Sequence, residues 1–370
     1  MPSADAIVVG GGVVGSAVSY ALAREGISSI LLERDEIAGH ASGAAAGMIH
    51  PLGEASGIGT FLTYALRSFA LFPELIAELR DRSGVDPEFN PCGALEVATN
   101  ERSERELKQR VEVFAEHGAE WLDAATLRAE LPVAPEARGA FWSPREGCVR
   151  SPLLCRALTG AAAQLGAKIE TGVGVVGLLR EGTRVVGVAT PSAEYRGNTV
   201  ILCMGAWTPV FSTWLGADYS LPIEPVRGQI LSLTSPQSGL RSTVTGPGVY
   251  LVPRRDGQVV VGATEERVGF DCRVTADGLA QLLAAAAQLL PVLGNCTFRS
   301  AWAGLRPATP DRLPVIGAVP GSEGLLLAAG HYRNGVLLAP ITARLVADLM
   351  LGKELPPDAE PLRPERFLSS

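Results

Sequence analysis

Apolar residues fill every position of three short segments of the chain, 6–9, 200–204 and 325–329. Successive residues of a strand point to opposite faces of its sheet, so an unbroken apolar run predicts a strand that is buried on both sides. A glycine follows each run, and a stretch with helical character comes next, the last of them a long helix over 336–351. The pattern therefore predicts several strand–turn–helix units that share one parallel sheet.

The pattern changes over residues 221–305, where short strands alternate with turns. Apolar strands at 230–233, 248–253 and 258–262 are separated by turn residues, notably at 255–257. This arrangement favours an antiparallel sheet. Elsewhere the sequence predicts helices at 59–83, 101–118 and 152–165 (the last with Ser151 as its N-cap), a strand at 93–98 and a hairpin within 172–189.

These elements predict an α/β fold with two domains, because 370 residues exceed what one ordinary core accommodates. A discontinuous Rossmann-like domain is expected from residues 1–50, 145–210 and 325–355. A second, α+β domain built on the antiparallel sheet is expected from 51–144 and 211–324, and would bind the substrate. Residues 356–370 would form a C-terminal tail.

Composition narrows the possible partners and compartments. The net charge of -7 and the isoelectric point of about 5.3 argue against nucleic acid and anionic membranes. Six scattered cysteines without a CxxC pair predict no metal centre, and buried thiols in a reducing, cytoplasmic compartment. No signal-peptide pattern is visible, and the apolar segment at 279–293 is too short to span a membrane, so it predicts a core-facing helix.

The segment 6–33 carries a specific signal for a dinucleotide. Gly10 permits a tight turn, Gly12 lets the backbone approach a pyrophosphate, and Gly15 lets the helix pack close to the strand. The N-terminus of that helix offers N–H groups to the phosphates. Glu33 ends the second strand, where it can accept hydrogen bonds from ribose hydroxyls and would repel the 2′-phosphate of NADP. The alternative from the residues alone is a glycine-rich loop without a ligand.

Two arginines in glycine-bounded segments are candidates for binding an anion. Arg306 lies within the turn-rich segment 302–311, and Arg333 lies within 330–336, just before the predicted last helix. A guanidinium group matches a carboxylate in a bidentate manner, so the two side chains can converge on one carboxylate. The alternative, that both form surface ion pairs, stays open on the residues alone.

The chain resembles the D-amino-acid oxidase family of FAD-dependent amine oxidoreductases, most closely its glycine-oxidising branch that serves thiamine biosynthesis. The resemblance covers nearly the whole chain, and its most specific segments are the last two of this set: 8–17, 44–48, 252–254, 261–264, 302–307 and 330–340. One departure concerns Gly248, two residues before Tyr250, where close relatives often have a histidine. The smaller residue would widen the pocket.

The resemblance implies FAD as the cofactor of the discontinuous domain, held non-covalently because 302–310 contains no cysteine that could attach it. The helix that starts near Val336 would direct its N-terminus at the edge of the flavin that becomes negative on reduction. The implied contacts are Val13 and Val14 with the pyrophosphate, Glu33 and Arg34 with the ribose, Val175 with adenine, Ala41, Ser42, Ala46, Gly47 and Met48 along the pyrophosphate and flavin, and His331, Tyr332, Arg333, Asn334, Gly335, Val336 and Leu337 over the flavin ring.

For catalysis, the resemblance implies that Arg306 holds a substrate carboxylate, that Tyr250 hydrogen-bonds to it and that Arg333 adds positive potential. The expected reaction is oxidative deamination of glycine, sarcosine, D-alanine or D-proline to the 2-oxo acid, with O₂ as acceptor and H₂O₂ as product. One alternative is a D-amino-acid or N-methyl amino acid dehydrogenase that passes electrons to a quinone or carrier. Another is a non-catalytic dinucleotide-binding protein. Similar enzymes are often homo-oligomers, which favours that assembly here.

Overall fold

The computed structural model describes residues 2–215, 221–234 and 239–367, which build two large sheets with helices packed on them. The strands are β1 (Ser3–Val9), β2 (Ser29–Leu32), β3 (Met48–Ile49), β4 (Ala94–Ala98), β5 (Glu120–Asp123), β6 (Gly139–Ser143), β7 (Gly147–Cys148), β8 (Lys168–Glu170), β9 (Gly177–Glu181), β10 (Arg184–Ala189), β11 (Glu194–Leu202), β12 (Glu224–Thr234), β13 (Thr243–Gly246), β14 (Val249–Pro253), β15 (Gln258–Gly262), β16 (Thr297–Ala308), β17 (Val315–Ala318) and β18 (Leu325–Ala329).

The α-helices are α1 (Val13–Arg24), α2 (Ala41–Ala44), α3 (Pro51–Glu54), α4 (Thr60–Ser83), α5 (Glu101–Phe114), α6 (Ala124–Glu130), α7 (Ser151–Gln164), α8 (Ala276–Leu289) and α9 (Gly335–Met350). Short 3₁₀ segments occupy Ala115–His117, Gly205–Trp214, Pro291–Asn295, Pro357–Leu362 and Pro364–Phe367.

The first sheet has the strand order β17-β18-β11-β1-β2-β8, with the hairpin β9–β10 joined to β11. Its central pairs are parallel, and β17 adds an antiparallel edge. Ala6 and Val8 of β1 point into a core shared with α1, α4, α7 and α9, whereas Ile7 and Val9 point into a second core that includes β10. Both faces are therefore covered, which explains why these strands are apolar at every position.

The second sheet has the order β16-β12-β15-β14-β13-β4-β6-β5, and its pairs are antiparallel except β13 with β4. Helix α8 packs on one face, where Leu282 joins Leu231, Val244 and Leu251 in a common core. The apolar segment that the sequence assigns to a core-facing helix therefore buries one face, while Leu283 on the other face is 39% exposed. No helix in the described part of the chain has both the length and the apolar surface that crossing a bilayer would require.

Strand β16, at the edge of the second sheet, packs against α2, which follows β2 of the first sheet. Trp302, Gly304 and Arg306 alternate along it and so share one face. The indole N–H of Trp302 donates to the carbonyl of Ala44 at 2.9 Å. A Cβ placed on Gly304 would lie 2.6 Å from the Cβ of Ala44, so only glycine permits this approach of β16 to α2. The second sheet is thus attached directly to the loop region that follows β2.

The predicted α/β class is confirmed, and several element boundaries differ from the prediction. Strand β17 lies within the segment expected for the second domain but is hydrogen-bonded into the first sheet. The segment after β11, expected to begin an α-helix, is the 3₁₀ segment Gly205–Trp214. The division into domains stays a prediction, and residues 216–220, 235–238 and 368–370, which it assigns to the second domain and the tail, lie outside the described residues.

The prediction of Ser151 as an N-cap is wrong. Helix α7 begins at Ser151 itself, with Arg150 in the N-cap position. The Ser151 hydroxyl instead donates to the carbonyl of Ser42 at 2.6 Å. Its partner lies on α2, so Ser151 holds the segment after β2 against α7.

Candidate functional site

A long cleft lies between the two sheets, along the carboxyl ends of β1, β2, β11 and β18. The first sheet contributes residues such as Val9, Glu33 and Cys203, and the second contributes Tyr250 and Arg306. In open α/β sheets, ligands bind at the carboxyl ends of parallel strands. The position of the cleft therefore matches the expected dinucleotide site.

The cleft brings together nearly all the site residues expected from the sequence. Those that line it are Gly10, Gly12, Val13, Val14, Glu33, Arg34, Ala41, Ser42, Ala46, Gly47, Met48, Val175, Tyr250, Arg306, His331, Tyr332, Arg333, Asn334, Gly335 and Val336.

Gly15 and Leu337 are expected site residues that lie outside the lining of the cleft. Gly15 sits under the turn, where an added Cβ would come within 1.9 Å of the Gly10 carbonyl. Leu337 is buried in the core beneath α9, and its carbonyl accepts a hydrogen bond from Ser68 at 2.6 Å. Both residues lie on helices that border the cleft, but on the sides of those helices that pack against the rest of the protein.

The turn between β1 and α1 brings backbone N–H groups to the cleft. Gly10 has a φ of 109°, and a Cβ on it would lie 2.5 Å from the Cys203 carbonyl, so the turn requires glycine. Helix α1 starts at Val13, whose N–H donates to the Ser42 hydroxyl at 2.9 Å. Helix α9 starts at Gly335 on the same cleft. Two helix N-termini, each with a partial positive charge, thus face the space between the sheets.

Glu33 is held by two backbone amides. Its carboxylate oxygens accept hydrogen bonds from Gly11 at 2.6 Å and Asp35 at 2.8 Å, and the residue is only 7% exposed. Each carboxylate oxygen has a further lone pair, so the group can also accept ribose hydroxyls. Potential metal-ligand atoms of Glu33, Asp35 and His40 lie within 4.8 Å of one another, yet the amides already engage both Glu33 oxygens. The absence of a metal stays a prediction.

Trp207 is a cleft residue that the sequence reasoning missed. Its ring lies 4.4 Å from the His40 ring, and the Arg34 guanidinium lies 5.2 Å from its centroid. Phe270, in the segment between β15 and α8, has its ring centroid 5.9 Å from that of Trp207. The position of Trp207 could have indicated a site residue, because it follows closely after the apolar strand and the glycine at 205. Trp207 therefore adds an aromatic side chain, in contact with His40, Arg34 and Phe270, to the lining of the cleft.

Arg306 is fixed flat against the backbone of Gly228, in the part of the cleft that the second sheet lines. A Cβ on Gly228 would lie 2.4 Å from both terminal nitrogens of Arg306, so the missing side chain creates the space for the guanidinium. The Nη1 group donates to the Thr264 carbonyl at 3.0 Å. A guanidinium has five N–H donors, so this anchor leaves others to bind a carboxylate.

Tyr250 lies beside Arg306 in the cleft and keeps a neutral hydroxyl. Burial raises the pKa of Tyr250 above its ordinary value, while the positive charges of Arg306 and Arg333 oppose that rise. A neutral phenol can donate a hydrogen bond to a carboxylate. Tyr250 and Arg306 therefore present adjacent donors, as the sequence predicts for a carboxylate anchor.

Arg333 also lines the cleft, but it is already paired. It forms a 3.0 Å ion pair with Glu54, another cleft residue. The Glu54 charge raises the pKa of Arg333. Glu54 was missed because its partner is distant in sequence and its four-residue helix α3 carries no motif. Part of the positive potential expected from Arg333 is thus neutralised within the protein.

His331 positions the loop before α9. Its imidazole Nε2 is 3.0 Å from the Thr342 hydroxyl on α9, and the residue is 3% exposed. Burial lowers the pKa of His331 to about 3, so the ring is neutral near pH 7. Next to it, Tyr332 has a φ of 49° and donates its N–H to the Pro307 carbonyl on β16 at 2.9 Å. The loop is thereby tied to both α9 and the strand that carries Arg306.

The residues present fit FAD. A glycine turn without Cβ atoms, a held carboxylate at the end of β2 and two helix N-termini match the needs of an adenine dinucleotide. The cleft continues from this turn to Tyr250 and Arg306, which leaves a space between the two sheets for a flavin ring. Fold and site together define a flavin-dependent oxidoreductase.

Comparison with known proteins identifies the family. A family model described as FAD dependent oxidoreductase matches residues 5–349, so the chain belongs to this family, DAO. It is 35% identical to a glycine oxidase from Geobacillus kaustophilus, covering 98% of this chain and 97% of that protein. The crystal structure of glycine oxidase from Geobacillus kaustophilus matches with a TM-score of 0.95 and 34% identity, over 100% of both chains.

A longer relative is the bifunctional protein ThiO/ThiG from Synechocystis, with 35% identity over 100% of this chain and 55% of that protein. The chain thus spans about half the length of the curated ThiO/ThiG relatives that it matches. The family match confirms the expected enzyme class and FAD as the cofactor. It also favours an enzyme over the alternative of a non-catalytic dinucleotide-binding protein.

Proposed function

We propose that the protein oxidatively deaminates glycine and the small amines sarcosine, D-alanine and D-proline to the 2-oxo acid, with release of H₂O₂. The observation that carries the proposal is the guanidinium of Arg306. It lies flat on Gly228 beside Tyr250, in the same cleft as the β1–α1 turn. The similarity to glycine oxidases over nearly the full chain supports the choice of substrate.

The protein's part in the reaction is to bind and orient the substrate. Arg306 and Tyr250 hold the carboxylate, so that Cα points toward the space between the sheets. The bound FAD supplies the acceptor for the hydride that leaves Cα. The N-terminus of α9, which begins at Gly335, directs positive potential into the same space.

Little acid–base machinery is needed, because the substrate amine only has to lose its proton before the hydride leaves. Neutral, buried His331 serves the loop through Thr342 and does not take that proton. The imine released from glycine would supply thiamine thiazole synthesis, as the family resemblance implies. A homo-oligomeric assembly remains part of the proposal.

The test is peroxide release from purified holoenzyme with each of the four amino acids. Arg306→Ala should raise the KM for glycine at least tenfold and leave the bound FAD unchanged, because a charge-assisted contact of about 1.5–3 kcal/mol is lost. Arg299→Ala is the matched control, since Arg299 lies exposed on the same strand and bonds to Thr234.

Two results would contradict the proposal. One is an unchanged KM in Arg306→Ala. The other is a flavin that the amino acid reduces but O₂ does not reoxidise. That second result would identify the alternative, a dehydrogenase that passes electrons to a quinone or carrier.

A further inference from the structure

The ion pair between Glu54 and Arg333 is an unusual feature of a cleft that binds carboxylates. Glu54 places a negative charge 3.0 Å from one of the two arginines that line the site. The side chain of Glu54 is 16% exposed and that of Arg333 is 38% exposed. Both remain reachable from the cleft, so a ligand can compete for Arg333.

The position of Glu54 is fixed by buried contacts on both sides of α3. Glu146, 1% exposed, accepts hydrogen bonds from the N–H groups of Leu52 at 2.8 Å and Gly53 at 2.7 Å. Arg110 donates to the Leu52 carbonyl at 3.1 Å from the other end of the turn. The helix is therefore braced through its backbone, and Glu54 is held in place by the fold.

The charged residues that line the cleft around Arg306 sum to a single positive charge, and Glu265, which lies outside that lining, adds a negative charge near Arg333. Arg306 and Arg333 contribute two positive charges, and Glu54 contributes one negative charge. The neighbouring His50 is neutral, because burial and the charge of Arg333 lower its pKa to about 3. Tyr250 is neutral as well, since burial raises its pKa. One substrate carboxylate balances this site, whereas a second would have to displace Glu54 or remain unpaired.

We propose that Glu54 is a specificity-determining residue that restricts the site to amino acids with one carboxylate. It does so by occupying Arg333, the group that would otherwise bind a second carboxylate. The excluded class comprises N-carboxymethyl amines such as iminodiacetate and acidic amino acids such as D-aspartate. As a statement about substrates, this rests on the proposed function. Glu54 disfavours diacids in two ways: it repels their second carboxylate, and it occupies Arg333, the cation that would otherwise bind that carboxylate.

The first test measures binding without turnover. Acetate and malonate, which cannot be deaminated, are titrated into the holoenzyme, and their dissociation constants are read from the change in the flavin absorption spectrum. Glu54→Gln should tighten malonate binding relative to acetate about tenfold or more, because Arg333 gains a charge-assisted partner. Glu54→Asp should keep the wild-type ratio. Adding Arg333→Gln to Glu54→Gln should abolish the gain.

The second test compares kcat/KM for iminodiacetate with that for sarcosine, whose ratio should rise by a similar factor in Glu54→Gln. Glu104→Gln is the control, since Glu104 pairs with Lys108 and Arg138 on the surface. An unchanged malonate-to-acetate ratio in Glu54→Gln, with normal FAD content and melting temperature, would overturn the proposal. If wild-type enzyme oxidises none of the small amino acids, the proposed function fails, while the titration still decides the role of Glu54.

Discussion

Two arginines that look alike in the sequence have different environments in the fold. Arg306 is anchored by a backbone carbonyl and stacks on Gly228, so its remaining donors point to the cleft. Arg333 is paired with Glu54. The motifs around both arginines could be recognised from sequence. The distinction between them could not, because it depends on a glycine and a glutamate that only tertiary structure brings near.

Glu33 offers a direct test of cofactor binding at the residue scale. Glu33→Ala should release FAD more readily, because it removes the carboxylate that orders the Gly11 amide and that we expect to accept the ribose hydroxyls. The measurement is the visible flavin absorbance that stays with the protein after desalting. Glu36→Ala, a change at a neighbouring exposed acid, should leave retention at the parent level. Equal retention in both variants would reject the ribose role of Glu33.

At the scale of elements, long apolar strands were predictable and short supporting elements were not. The unbroken runs identified β1, β11 and β18, because burial on both faces leaves no other pattern. Helix α3 could not be predicted, since four residues carry no periodicity and its geometry comes from Glu146. Strand β17 was not identified from the sequence, which places its segment in the second domain, because its pairing with β18 of the first sheet is decided by tertiary structure.

Glu146, which holds α3 through the amides of Leu52 and Gly53, gives the free energy of unfolding a measurable dependence on pH. Burial raises the pKa of Glu146 to about 8, from an ordinary value near 4.5. Between these values the folded state binds more protons than the unfolded state, so the free energy of unfolding falls as pH rises. The limit is about 1.4 kcal/mol per pH unit. Glu146→Gln should remove this fall while its amide oxygen still accepts from Leu52 and Gly53.

The measurement that tests this prediction is the melting temperature between about pH 6 and about pH 9, a range that includes the upper part of the interval in which Glu146 acts on stability. Glu120→Gln, at an exposed strand position, serves as the control and should keep the parent slope. A Glu146→Gln variant whose melting temperature declines as steeply as the parent's would show that the carboxyl does not titrate as inferred.

At the scale of the whole molecule, buried titratable groups predict a stability maximum. Burial lowers the pKa values of His50 and His331 to about 3. Between 3 and the ordinary value of 6.5 the unfolded state binds more protons, so stability rises with pH. Together the two histidines outweigh the opposing effect of Glu146 in the window that they share. Above that window Glu146 lowers stability.

The melting temperature should therefore peak between about pH 6 and 7. His331→Gln should flatten the acid side of the curve, because an amide replaces a ring that must be neutral when folded. His117→Gln, at a less buried histidine in the 3₁₀ segment Ala115–His117, is the comparison variant. A melting temperature that rises monotonically from about pH 5 to about pH 9 would contradict this balance of sites.

Strand β16 also fixes the distance between two parts of the cleft. Gly304 touches the wall of the dinucleotide site through Ala44, and Arg306 follows two residues later on the same face. The rise of an extended strand sets their separation at about 7 Å. Opening or closing of the two sheets cannot lengthen that interval. The distance from the Arg306 backbone to that contact is therefore a property of the strand itself and not of any motion between the two sheets.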